Sequence, residues 1–126
     1  MNLNPELEQA TADLWKIAKA VLHDVMGPEI FYEYEAEMLE HVARMAELQL
    51  RMARGESPEM TQITLDYALA NQKMFIRIIK GRMGDAASNV VSAVFDVILG
   101  VAKVVAEKAL TAGIILLLGE VGEYWT

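Results

Sequence analysis

The chain has two histidines, His23 and His41, and no cysteine. Acid–base or metal chemistry would therefore rest on an imidazole or on carboxylates. His41 follows Glu37 by four residues, which places both side chains on one face of a helix, where the pair can hold a metal or pass a proton. Di-iron carboxylate bundles, however, use Glu-x-x-His twice, and the residue three before His41 is Met38. His23 has Asp24 beside it and no carboxylate three or four positions away. Each histidine is expected at a solvated or boundary position and not on a metal.

Other candidate constellations fall to simpler readings. Glu33, Glu35, Glu37 and Glu40 have the charge to hold a hard cation, but no glycine-containing acidic loop of the calcium-binding type accompanies them. A solvated acidic face is the expectation. Ser57, Ser88 and Ser92 lack a glycine elbow; the first suits a helix cap and the others helical packing. The segment Gly81-Arg82-Met83-Gly84 is too short for a phosphate loop and lacks its Lys-Ser/Thr end, so it reads as an interhelical turn. No catalytic, cofactor-binding or metal-binding residue is assigned, and an enzyme is not expected.

Composition narrows the class further. A chain of 126 residues has the size of one domain with its own core. Hydrophobic residues make up 54% of it and aromatics only 7%, so the excess is aliphatic. The net charge of -7 opposes sequence-independent nucleic-acid binding, which depends on Lys and Arg neutralising phosphates, and a permanent electrostatic hold on anionic lipid. The segment "MNLNPELEQA" lacks the basic and apolar regions of a secretory signal, and cytoplasmic synthesis is expected.

The elements that would position these residues are helices. Pro5, Pro28 and Pro58 each open a stretch of helical periodicity, where a missing N–H and a fixed φ cost nothing. The first helix is expected from about Pro5 to Met26, capped by Asn4. The second should run from about Glu29 to Arg54, with Glu40–Arg44 and Glu47–Arg51 in the favourable acid-before-base order. The third begins at the cap Ser57 and reaches about Lys80, with Met60, Ile63, Tyr67, Met74 and Ile78 on one side. Met38, Met45, Met52, Met60 and Met74 are expected to fill the core. No strand-like alternation competes. The expected organisation is one helical domain over residues 1–126, with an amphipathic three-helix part over 1–84 and an apolar helix with an aromatic tail over 85–126.

The fourth helix, capped by Asp85 and running to about Leu118 with Gly119 as its stop and Gly100 as a place for a bend, is the unusual one. It would extend roughly 50 Å at 1.5 Å per residue. On a wheel its polar residues apart from Lys108, including Asp96, Lys103, Glu107 and Thr111, gather in one stripe about 100° wide. Ala102, Ala106, Ala109 and Gly113 line up separately as a ridge of small side chains that admits close helix approach. With Val91 and Phe95 they form the expected oligomer interface. Lys103 and Glu107 can pair within the stripe, or across subunits with Asp96.

The longest uncharged run, Ala109 to Gly119, is shorter than the ~20 apolar residues of a membrane span. The fold expected is therefore all-α: three amphipathic helices and a long apolar C-terminal one, bundle-like and assembled through that helix. The function expected is a non-enzymatic structural or interaction subunit whose main partner is itself, alone or with other subunits of a larger complex, of which a virion or other protein shell is one setting. The alternative is a membrane-active, holin-like pore whose polar stripe lines a lumen. Nucleic acid is not an expected partner, and membrane is a less favoured one.

Overall fold

A computed structural model describes the backbone of residues 4–125 and the side chains of residues 4–112. Four helices account for nearly all of it: α1 (Pro5–Met26), α2 (Pro28–Ala53), α3 (Pro58–Met83) and α4 (Asp85–Trp125). Each of the first three opens on a proline. Asn4 Oδ1 accepts from the Glu6 N–H at 2.8 Å, and Ser57 Oγ accepts from the Met60 N–H at 3.4 Å, which satisfies donors that the first turn leaves free.

Single glycines separate α1 from α2 and α3 from α4. Gly27 at φ 79° and Gly84 at φ 87° occupy a backbone region that side chains resist, so each reverses the chain without a loop. Successive helices are consequently antiparallel. Ion pairs between helix ends agree: Glu6 near the start of α1 meets Arg54 just past the end of α2 at 3.0 Å, and Glu33 meets Arg82.

α2 and α4 pack against each other through the middle, with α1 on one flank and α3 on the other; α1 and α3 hardly meet. The core draws on all four helices, including Leu14 and Leu22, Phe31, Met38, Val42 and Met45, Phe75 and Ile79, and Val91, Phe95 and Ile98. Burying each large side chain of this kind is worth about 1.5–3 kcal/mol. Small side chains with no exposure, Ala46 on α2 and Ala102 and Ala106 on α4, suit the close α2–α4 packing.

Three local expectations need correction. α3 runs past Lys80 and Gly81 to Met83, and Gly84 ends it. α4 continues through Gly119 to Trp125 without a break at Gly100; a glycine stops a helix by turning left-handed, and among the described glycines only Gly27, Gly55 and Gly84 do so. Asp85 is the first helical residue and not the cap, because Gly84 carries the first accepting carbonyl, bonded by the Ser88 N–H at 3.2 Å. At 41 residues against 26 for α2 and α3, α4 outruns its neighbours by roughly 20 Å at 1.5 Å per residue. The far end of the bundle is marked by Leu110, whose Cδ1 lies 3.6 Å from where a Gly55 side chain would begin.

Candidate functional site

The fold places the expected site residues of α4 on opposite sides of that helix. Val91, Phe95, Ala102 and Ala106 turn inward and are covered by the chain's own helices. The close approach that the small ridge allows is therefore made within one chain. Ala109 lies exposed, and Gly113 falls outside the described side chains. In the polar stripe, Asp96, Glu107 and Thr111 are exposed and Lys103 is half-buried; among the described residues, none of the charged three takes part in an ion pair.

Asp96 is nevertheless engaged, and it ends a chain of polar groups that crosses the bundle. Its carboxylate can only accept, so Gln72 Nε2 must donate to Asp96 Oδ1, at 2.8 Å. That fixes the Gln72 amide, whose Oε1 then faces His41 Nε2 at 3.1 Å. His41 must carry its proton on Nε2 and donate it, leaving Nδ1 to accept from Asn71 Nδ2 at 3.3 Å. The network thus ties α2, α3 and α4 at one level and sets both amide orientations and the tautomer.

His41 is thereby a correction to the boundary position expected of it: it is 1% exposed and stands edge to face with Phe95 at 4.8 Å between centroids. Burial holds its imidazole below the ordinary range; the Gln72 hydrogen bond works against that shift and the Arg44 charge adds to it. The sequence signal for this network was Asn71-Gln72 within an otherwise apolar side of α3, but its partners lie at separations of 24 to 31 residues, which helical spacing does not reveal. Both ring nitrogens are engaged within the protein. His23, half-buried against Phe31 and Tyr32, is a boundary residue as expected.

Glu37 and Glu40 line a shallow groove between α2 and α3 with Asn71, Met74, Phe75 and Ile78; His41 does not line it. Among the described residues no cluster of three or more His, Cys, Asp or Glu side chains is placed to hold a metal. The Glu40–Arg44 and Glu47–Arg51 pairs form at 2.9 and 3.0 Å.

What remains open on the surface is apolar. On the outer side of α4, Val90, Val97 and Val104 are 44%, 60% and 49% exposed, seven residues apart, with Ala93 and Gly100 exposed between them. Ile17 and Val21 of α1 continue this surface, and with Val90, Ala93, Val94, Val97 and Ile98 they line a groove that offers no polar surface. A second apolar face lies on α3. Met60, Ile63, Tyr67, Met74 and Ile78 are all exposed there, so Met60 and Met74 are corrections to the expectation of five core methionines; Met38 and Met45 are buried as expected, and Met52 partly so.

No protein-family model, no curated protein and no solved structure matches the chain.

Proposed function

We propose that the protein is a non-enzymatic structural subunit that assembles with copies of itself, with α4 as its main contact. The observation that carries this reading is the exposed heptad-spaced row Val90, Val97 and Val104 on the outer side of α4, continued by Ile17 and Val21. A row at that spacing is what a helix presents to another helix, and contiguous exposed apolar surface marks interaction sites. Asp96 and Lys103 flank the row, and pairing between them across subunits sets its register. The contact residues named from the sequence, Val91, Phe95, Ala102 and Ala106, serve the subunit's own core in this proposal. A virion or other large shell is a setting that suits such a subunit.

Mass measurement of the native protein in detergent-free buffer tests the proposal. An oligomer is expected, and Val97→Glu, which sets a charge in the middle of the row, should lower its mass while leaving the helical content unchanged. A clean monomer at all concentrations would sink the reading. A second reading, a pore-forming protein, draws on α4, which over Asp85–Ala112 is long and apolar enough to cross a membrane by length and composition. It requires dye leakage from liposomes that responds to charge reversal at Lys103.

A further inference from the structure

The exposed face of α3 carries a charge pattern that its own fold does not use up. Met60, Tyr67 and Met74 recur every seven residues, each followed three residues later by Ile63, Ala70 and Arg77 in turn. Five of these six line up as an apolar stripe with Tyr67 at its middle, and Ile63, Tyr67 and Met74 are 63%, 61% and 62% exposed. Along one edge of the stripe, again at seven-residue spacing, stand Glu59, Asp66, Lys73 and Lys80, all exposed. The edge is acidic in its first half and basic in its second. Of the four, Lys80 reaches Asp85 at 3.3 Å and Asp66 accepts from Gln62 at 2.8 Å; both contacts are local and solvent-exposed.

A row that reverses sign at its midpoint is complementary to itself turned end for end. We infer that α3 pairs antiparallel with α3 of a second copy across a twofold axis. In that register Glu59 meets Lys80 of the second copy and Asp66 meets its Lys73, and symmetry repeats both pairs. The seam closes at the same register: Ile63 faces Met74 of the second copy, Met60 faces the aliphatic stem of Arg77, and the bulky Tyr67 faces the small Ala70. Arg44 of α2 lies over the Tyr67 ring at 4.8 Å, which holds this central side chain in place before the partner arrives. A parallel copy gains none of this, because the same edge would then face Thr64, Asn71 and Ile78, the residues on the stripe's other edge. The occupant that the charges select is therefore another copy running the opposite way.

The inference rests on the reading of the protein as a self-assembling subunit, but it uses a different helix from the α4 contact. Two distinct self-contacts on one subunit can build an extended assembly, whereas a single twofold contact stops at a dimer.

The absence of cysteine makes the register directly testable. Chains carrying Ile63→Cys and chains carrying Met74→Cys should form a disulfide-linked mixed dimer when combined and oxidised, and neither should link to itself. Asp66→Lys should weaken dimerisation roughly tenfold, by setting two lysine pairs against each other, and adding Lys73→Asp should restore it. Self-linked dimers of either single variant would overturn the antiparallel register. Continued assembly without the mixed link, or a double variant no better than Asp66→Lys, would show the α3 face covered by something else and overturn the contact itself. Val97→Glu separates the two proposals. If the mixed link survives while the mass falls, both contacts stand; if the link forms and the mass is unmoved, the α4 contact fails and the α3 contact stands. If the mass falls and the link is absent, the α3 contact alone fails.

Discussion

The inner and outer sides of α4 have nearly the same chemistry and opposite fates. Inward stand Val91, Phe95, Ile98, Ala102 and Ala106, all buried; outward stand Val90, Val97 and Val104, all exposed. The polar stripe of Asp96, Glu107 and Thr111 stays at the surface, and Phe95 and Ile98, the larger apolar side chains, take the core. Asp96 accepts from Gln72 at 2.8 Å, and in this rotation Phe95 meets His41 and Phe75 while Val97 points to solvent. Hydrophobicity makes both sides fit for contact; the larger side chains face the core, and Val90, Val97 and Val104 face outward.

Substitutions on the two sides should accordingly fail in different ways, and the inner ones should be the more severe. Ala106→Leu inserts three heavy atoms where there is no exposure, and overpacking of this kind costs about 1–3 kcal/mol. Thermal unfolding should show a Tm lower by several degrees, even at dilution where the subunit is alone. Val97→Glu should leave that Tm nearly unmoved. If Ala106→Leu instead kept the Tm and altered only the oligomer, the inner and outer assignments would have to be exchanged.

This division explains which parts of the molecule were legible in the sequence. Helix positions follow from local chemistry, and Asn4, Pro5, Pro28, Ser57 and Pro58 mark them without reference to anything distant. The ridge of Ala102 and Ala106 was legible as a place of close helix approach, but not its partner, because a wheel reports where side chains point relative to one another and not which neighbour lies there. His41 was misplaced for a related reason. Its burial depends on Asn71 and Gln72 from another helix, which the spacing of residues along its own helix does not reveal. The two exposed apolar faces became visible only once the core was known, since exposure is what the rest of the chain leaves uncovered.

The polar network around His41 should itself respond to pH, with a smaller effect than overpacking. Burial is the main cause that holds His41 below its ordinary value of 6.5 in the fold; the charged groups around the network are Arg44 on its own helix and Asp96 on α4, while α3 presents only the neutral Asn71 and Gln72. A histidine whose folded-state pKa is depressed stabilises the fold fully above the unfolded value, where it is neutral in both states. That stability is lost as pH falls below about 6.5 and through the folded-state value, with a slope of at most about 1.4 kcal/mol per pH unit for one proton. Denaturant midpoints measured from pH 7.5 to 5 should decline accordingly, and His41→Gln should flatten the decline. An unchanged slope in that variant would mean that other groups govern the acid response.

The smallest effect distinguishes the two sides of α4 most directly. Gly100 lies within the helix on its outer side, and a side chain placed there would meet nothing within 4 Å in the subunit. Glycine in such a position costs the helix about 1 kcal/mol relative to alanine, so Gly100→Ala should stabilise the isolated subunit by about that much. The subunit gives no packing reason for the glycine, but a second helix seated on Val97 and Val104 does, because an added methyl group would hold the two backbones apart. The same substitution should then raise the unfolding midpoint of dilute protein while weakening its self-association. Stabilisation with unaltered association would place the α4 partner away from Gly100, whereas opposite signs in the two measurements would put the close approach at this residue.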